Sequence, residues 1–346
     1  MRTTERLGVS VVGAGYWGPN LVRNFFGSPN WQVISVVERD ESRVGRLRRQ
    51  FPGIAGQRDI DEALSDPRVS AIAVATPVAT HFELAKKALL AGKHVIIEKP
   101  MTQTAEQSEE LCRLADDCRL TLMVDHTFLY TGSVELLRRL VVEQEFGQIL
   151  YLDSVRVNLG LFQNDVNVVY DLAPHDVSIF NYVLGEYPVS VSANVAHCIH
   201  DDTADVAFLT LRYPSGVLAH AHLSWLSPVK VRRLTIAGRN KMALWDDVEP
   251  SEKIRLYDKG VETKPDYESN MRRMVSYRTG DMRAPALDTT EALTKAVEEF
   301  YRAIVHGEPV RSAPEDGLAV VRVLEAVDHS IAAEGAVIHL SHGVFA

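Results

Sequence analysis

Nowhere along the 346 residues do five or six like charges run together, so the chain has no charged arm of the kind that seeks a polyanion. The balance points the same way: 37 Lys and Arg against 46 Asp and Glu leave a net charge of −9, which disfavours nucleic acid as a partner. Long apolar runs are missing too. Stretches such as Val69 to Ala75 have the length of a strand and fall far short of the ~20 residues that cross a membrane. Cysteine is scarce: Cys112, Cys118 and Cys198 form no CxxC pair, and an odd number gives no disulfide framework, so reduced thiols are expected. On an alternating strand His197 faces away from Cys198 and His200, and His220 and His222 share a face without carboxylate help, so no metal is expected. Met1 to Arg6 lead into a strand-like run with no apolar secretory segment, so a cytoplasmic protein is expected.

What is present is an ordinary globular composition, 46% hydrophobic and 24% charged, which excludes collagen-like and disordered classes. At roughly 150 residues per domain the length predicts two domains. From Leu7 to about Asp125, short apolar runs alternate with amphipathic stretches: Gly8–Val12, Val33–Val37, Val69–Ala75, His94–Ile97 and Leu120–Val124 are the runs. Strands that read as continuous apolar segments expect cover on both faces, which is the doubly wound parallel sheet with helical crossovers. Beyond Thr127 the pattern changes to helix-like stretches at Ser133–Val142 and Asp171–Leu184 and strand-like runs from Val189 to Leu256. An α+β domain with a large, mostly antiparallel open sheet follows, a meander being its simplest topology. Residues Lys259 to Asp288 carry charge, Gly and Pro with little periodicity and read as an exposed loop or arm before helices at Thr290–Val305 and Pro314–Ala333.

Gly13-Ala14-Gly15-Tyr16-Trp17-Gly18 lies between the first apolar run and a helix, the context in which GxGxxG signals a dinucleotide. Gly13 permits the tight turn, Gly15 lets the backbone approach a pyrophosphate, and Gly18 allows close strand-helix packing. Glu38, twenty residues after Gly18, ends the second strand where a carboxylate accepts from both adenosine-ribose hydroxyls. It favours NAD, because a 2′-phosphate would meet like charge there. Arg39 beside it can stack on adenine or pair with a 2′-phosphate.

The fourth strand runs into Ala75-Thr76-Pro77 and the fifth into Glu98-Lys99-Pro100, both at the carboxyl edge of the sheet where ligands bind in open α/β folds. Lys99, kept extended by the following proline, is the candidate catalytic group. Asp171 and His175, four apart at the start of a predicted helix with Asp171 as its N-cap, share one helical face. Gln163, Asn164 and Asn167 precede them and are candidates for reading the polar groups of a substrate. Tyr16, Trp17 and His126 are candidates for lining a nicotinamide pocket, and Arg232 and Arg233, which follow Lys230, form a basic cluster able to meet a diphosphate, although neighbours that face opposite ways on a strand cannot both do so.

The Gly13–Gly18 turn, Ala75-Thr76-Pro77 with His81, the segment Ala91 to Pro100 and the Asp171/His175 pair together resemble the glucose-fructose oxidoreductase / inositol dehydrogenase / MocA (Gfo/Idh/MocA) family across the whole chain. The resemblance implies a Rossmann domain over 1–126 and a substrate-binding and oligomerisation domain over 127–346, as a dimer or tetramer built through the open sheet. It implies NAD contacts from Gly13 to Gly18 and at Glu38, Arg39, Thr76, Pro77, His81, Glu98 and Lys99. Substrate contacts are implied at Lys99, Gln163, Asn167, Asp171 and His175, with Lys99, Asp171 and His175 catalytic. Gly15 to Asn20, Asp125 to Tyr130 and Asp171 to Asp176 resemble a branch that oxidises the 3-hydroxyl of nucleotide-linked sugars; Asp125 stands where that branch usually has glycine. A free-sugar or inositol dehydrogenase, a 3-ketosugar reductase, an enzyme that cleaves glycosides by oxidation and elimination, and an NAD-sensing protein are the rival expectations.

Overall fold

The computed structural model describes residues 6–160, 166–199, 202–264 and 274–340. In chain order the elements of its first part are β1 (Leu7–Val12), α1 (Gly18–Gly27), β2 (Trp31–Val37), α2 (Glu41–Gln50), β3 (Ala55–Gln57), α3 (Ile60–Leu64), β4 (Ala71–Val74), α4 (His81–Leu90), β5 (His94–Glu98), α5 (Ala105–Cys118) and β6 (Leu122–Asp125). There follow α6 (Gly132–Val142), β7 (Ile149–Leu159), α7 (Val168–Leu184), β8 (Ser190–Ala196), β9 (Val206–Arg212), β10 (Leu218–Ser224), β11 (Leu226–Gly238), β12 (Met242–Asp246), β13 (Ile254–Lys264), β14 (Met274–Arg283), α8 (Ala292–His306), α9 (Pro314–Ala332) and β15 (Ile338–His339). They form two compact units, Met1–Thr131 with Thr290–Arg322, and Gly132–Thr289 with Val323–Ala346.

The first unit is the Rossmann-type parallel sheet, in the order β3-β2-β1-β4-β5-β6. Val9, Val11, Ile72, Val74 and Ile97 are wholly buried because helices cover both faces, which is why these strands read as unbroken apolar runs. Register sets the site: Val12 pairs with Val74, Val74 with Ile97, and Glu98 with Asp125. The carboxyl ends of β1, β4, β5 and β6 therefore stop abreast. The unit also takes in α8 and the start of α9 from the far end of the chain, where a single cut at 126/127 was expected. The physical reason is aromatic burial: the Trp31 ring stacks on Phe300 at 5.5 Å and its indole N–H donates to the Val297 carbonyl at 3.0 Å.

The second unit carries a nine-stranded sheet in the order β14-β13-β12-β11-β7-β10-β9-β8-β15. The expected meander is corrected: β7 inserts between β10 and β11, pairing parallel with β10 and antiparallel with β11. Under it, α7 is tied to β7 by Asp176, whose carboxylate accepts from Arg156 Nε at 2.7 Å and from Ser154 Oγ at 2.7 Å. Within the loop or arm expected over 259–288, the reading of little regular structure is corrected for the described stretches to 264 and from 274 to 283, where β13 and β14 pair antiparallel. Val275, Tyr277 and Thr279 alternate with polar residues, a period-two signal that the surrounding charges dilute. Among the described residues no helix is long and apolar enough to cross a membrane, and no group of His, Cys, Asp and Glu is arranged to hold a metal.

Candidate active site

In the first unit the turn after β1 has the shape a dinucleotide needs. Gly13 has φ +97°, and a Cβ on it would come within 2.6 Å of the Ala75 carbonyl oxygen. A Cβ on Gly18 would lie inside the contact shell of the Gly13 carbonyl, so only glycine lets α1 begin this close to the strand. Gly15 differs: a Cβ there meets only Arg43 Nη1, at 3.9 Å. That leaves bare backbone at a helix start, which fits a pyrophosphate cradle. Within the turn Ala14 is buried, Tyr16 is 89% exposed, and Trp17 is half-buried with its carbonyl accepting from Asn20.

Glu38 follows β2 and faces this turn. Its Oε2 accepts from the Ala14 N–H at 2.9 Å and its Oε1 from the Asp40 N–H at 3.1 Å, while Arg43 stands 3.5 Å away. Partial burial works against ionisation, yet the backbone donors of Asp40 and Ala14 and the Arg43 charge outweigh it and hold the carboxyl below its ordinary value. Glu38 is thus an anion fixed beside the glycine turn. Arg39 points to solvent; Arg43, which sequence reasoning passed over, is the cation that meets both Glu38 and the open side of Gly15.

Behind the carboxyl edge, His81 ties two turns together, its ring nitrogens 2.8 Å from the Thr76 carbonyl and 3.0 Å from the Pro100 carbonyl. It is buried, and burial lowers its pKa. Thr76 accepts from Thr80 Oγ1 at 2.7 Å, and Pro77 is exposed. His81 therefore shapes the loops that carry Thr76 and Lys99. Lys99 itself is half-buried directly after β5. Its neighbour Glu98 has a fully shielded Oε1, and burial followed by the negative Asp125 pushes the Glu98 carboxyl well above its ordinary range, against the opposing pull of Lys99. Asp125 accepts from Trp17 Nε1 at 3.2 Å and from Thr127 Oγ1 at 2.9 Å. His126 is 1% exposed, with its pKa driven down to about 3 by burial and by Lys99. Trp17, Glu98, Lys99, Asp125 and His126 thus meet at one edge. Only Asp125 had no expected role, although its position between a strand end and a histidine was a usable signal.

In the second unit Asp171 and His175 lie one turn apart on α7, as expected. The expected N-cap is corrected: Asn167 caps α7, its Oδ1 accepting from the Val169 and Tyr170 N–H groups at 3.0 Å each. The helix starts one turn early because Asn167 supplies that cap, which moves Asp171 into the first turn and Pro174 inside the helix. Asp171 Oδ2 accepts from the buried Trp225 indole N–H at 3.0 Å, a partner the sequence pattern did not reveal. Arg232 and Arg233 each hold their own acid, Asp247 at 2.7 Å and Asp246 at 2.8 Å, rather than forming one basic cluster; Lys230 is exposed. Gln163 and Asn164 lie outside the described residues.

Comparison with known proteins is consistent with this geometry. Residues 7–126 match the family described as "Oxidoreductase family, NAD-binding Rossmann fold", and residues 134–243 match the "GFO/IDH/MocA C-terminal domain". UDP-N-acetylglucosamine 3-dehydrogenase of Acidithiobacillus ferrooxidans is 28% identical over 326 residues, 91% of this chain and 93% of that protein. The scyllo-inositol 2-dehydrogenase (NADP(+)) IolW of Bacillus subtilis is 25% identical, covering 93% of this chain and 94% of its own. Among solved structures, GenD2 from gentamicin A biosynthesis, in complex with NAD, superposes with a TM-score of 0.82 at 23% identity, over 99% of this chain and 98% of that one. At that identity the likeness speaks for the fold alone.

Proposed function

We propose, from the premise that this chain belongs to the Gfo/Idh/MocA oxidoreductase family, that it is an NAD-dependent dehydrogenase oxidising a secondary hydroxyl, at C3, of a nucleotide-linked sugar such as a UDP-sugar. The observation that carries the reading is the carboxyl edge of the first unit, where Lys99 directly follows β5 in the same sheet whose β1 opens into the glycine turn. The choice of sugar leans on the relative named for UDP-N-acetylglucosamine, matched over nine-tenths of both chains. The choice of NAD leans on Glu38, an anion that repels a 2′-phosphate.

When bound, the nicotinamide supplies the hydride acceptor. The remaining work falls to side chains. Lys99 stabilises the alkoxide that develops on the reacting oxygen, a role in which a partly dry setting strengthens its charge. His175 takes the hydroxyl proton, and Asp171, steadied by the Trp225 indole, supports the imidazolium that results. The test is absorbance at the reduced-nicotinamide band with NAD or NADP against UDP-, dTDP- and GDP-sugars, free sugars and inositols. We expect a rise with NAD and UDP-sugars, reduced on the order of 10²-fold in Lys99→Met. A rise with inositols or free sugars alone refutes the nucleotide-sugar reading, and undiminished turnover in Lys99→Met refutes the role of the lysine.

A further inference from the structure

The paired ends of β5 and β6 hold polar atoms that the folded protein leaves unmet. Glu98 Oε1 and both ring nitrogens of His126 are shielded from solvent without a hydrogen-bond partner in the protein. Such groups are rare in folded proteins because each forfeits the bonds it had in water. Here they fall within two residues of one pair of strand ends, Glu98 opposite Asp125 in the register and His126 next in the chain. We propose that Glu98 Oε1 and the His126 imidazole form the subsite for a planar primary amide, the carboxamide of the nicotinamide, with Asp125 as the residue that positions Glu98.

The donor and acceptor inventory selects the ligand. Asp125 carries the Trp17 and Thr127 bonds on its two oxygens and also takes the proton that burial keeps on Glu98. Glu98 Oε1 is then the carbonyl-type oxygen of a neutral acid and can only accept. His126 is neutral at working pH and offers one N–H donor. One acceptor beside one donor is the complement of a primary amide, whose NH2 donates and whose carbonyl accepts. A carboxylate lacks the donor and a ketone lacks it as well. Trp17 tells which amide. It precedes α1 in the glycine turn and reaches Asp125, so this subsite belongs to the molecule whose phosphates the turn would cradle. The inference rests on the nicotinamide reading above.

The test is equilibrium binding to the full chain, followed by tryptophan fluorescence or calorimetry, of NAD and of 3-acetylpyridine adenine dinucleotide, in which a methyl replaces the amide NH2. The native chain is expected to bind NAD about tenfold more tightly, the loss of one buried hydrogen bond. Glu98→Gln keeps the preference, because its NH2 can donate to Asp125 while its oxygen still accepts. Glu98→Leu brings the two ligands within about twofold, and His126→Phe weakens both alike, since each retains the carbonyl. A native chain without preference overturns the proposal, and so does Glu98→Gln losing it as fully as Glu98→Leu. These outcomes need no turnover. A chain that binds neither dinucleotide overturns the nicotinamide reading itself, whereas NAD binding without discrimination overturns the subsite alone.

Discussion

His126 makes the first unit sensitive to acid in a way that can be isolated. Its pKa falls from the ordinary 6.5 to about 3, because burial and the nearby Lys99 charge both disfavour the imidazolium. Between those values the unfolded chain binds a proton that the native chain refuses. Stability is therefore fully present above about pH 6.5 and declines as the pH falls towards 3. Linkage between a pKa of 6.5 and one of about 3 gives a loss of about 2 kcal/mol on going from about pH 7 to about pH 5. His81 and His94 are also lowered by burial and add to the acid sensitivity, while Glu98, raised by burial, has the opposite sign. Subtraction removes them: urea unfolding of the native chain and of His126→Phe, each at both pH values, should differ in their pH-dependent loss by about 2 kcal/mol. Equal losses in the two chains would refute the buried, neutral state of His126.

Gly18→Ala should destabilise the first unit by about 1–3 kcal/mol or more, because its Cβ overlaps the Gly13 carbonyl, and should weaken NAD binding with it; melting temperature and a binding titration check both. Gly15→Ala separates the two effects. Its Cβ has open space, so stability should stay within about 0.5 kcal/mol while NAD affinity falls, and unchanged affinity would remove Gly15 from the phosphate cradle. In the second unit, Asp176→Ala removes the carboxylate that accepts from Arg156, whose side chain is 5% exposed, and should cost about 3–5 kcal/mol in urea unfolding.

Legibility in the sequence follows the range of the forces. In the first unit the apolar runs of β1, β4 and β5 announce themselves because each is buried on both faces by neighbours close in sequence. The part played by α8 was not legible, since the bond from Trp31 to Val297 spans 266 residues and leaves no local trace. The insertion of β7 between β10 and β11 is hidden for the same reason: pairing across so many residues is decided by packing, not by any turn signal. The cap of α7 was misplaced by a near-degenerate local choice. Asn167 and Asp171 are both competent caps four residues apart, and the two N–H groups that Asn167 satisfies settle it.

The site divides along a similar line. Glycines are readable because each answers to a steric demand of its own turn, and Glu38 because strand length places it. Asp125 was read only as a departure from the usual glycine. Its consequence depends on three partners that the sequence scatters: Glu98 through strand register, Trp17 across 108 residues, and Thr127 next door. A carboxylate at this strand end would be costly alone, yet with two donors and the Glu98 proton it is matched. The same matching leaves Glu98 Oε1 with nothing to bind. Burial is the first cause of the raised Glu98 carboxyl and the Asp125 charge the second, with Lys99 opposing both, so a glycine at 125 would shift Glu98 towards ionisation beside the lysine while burial still favours the neutral acid.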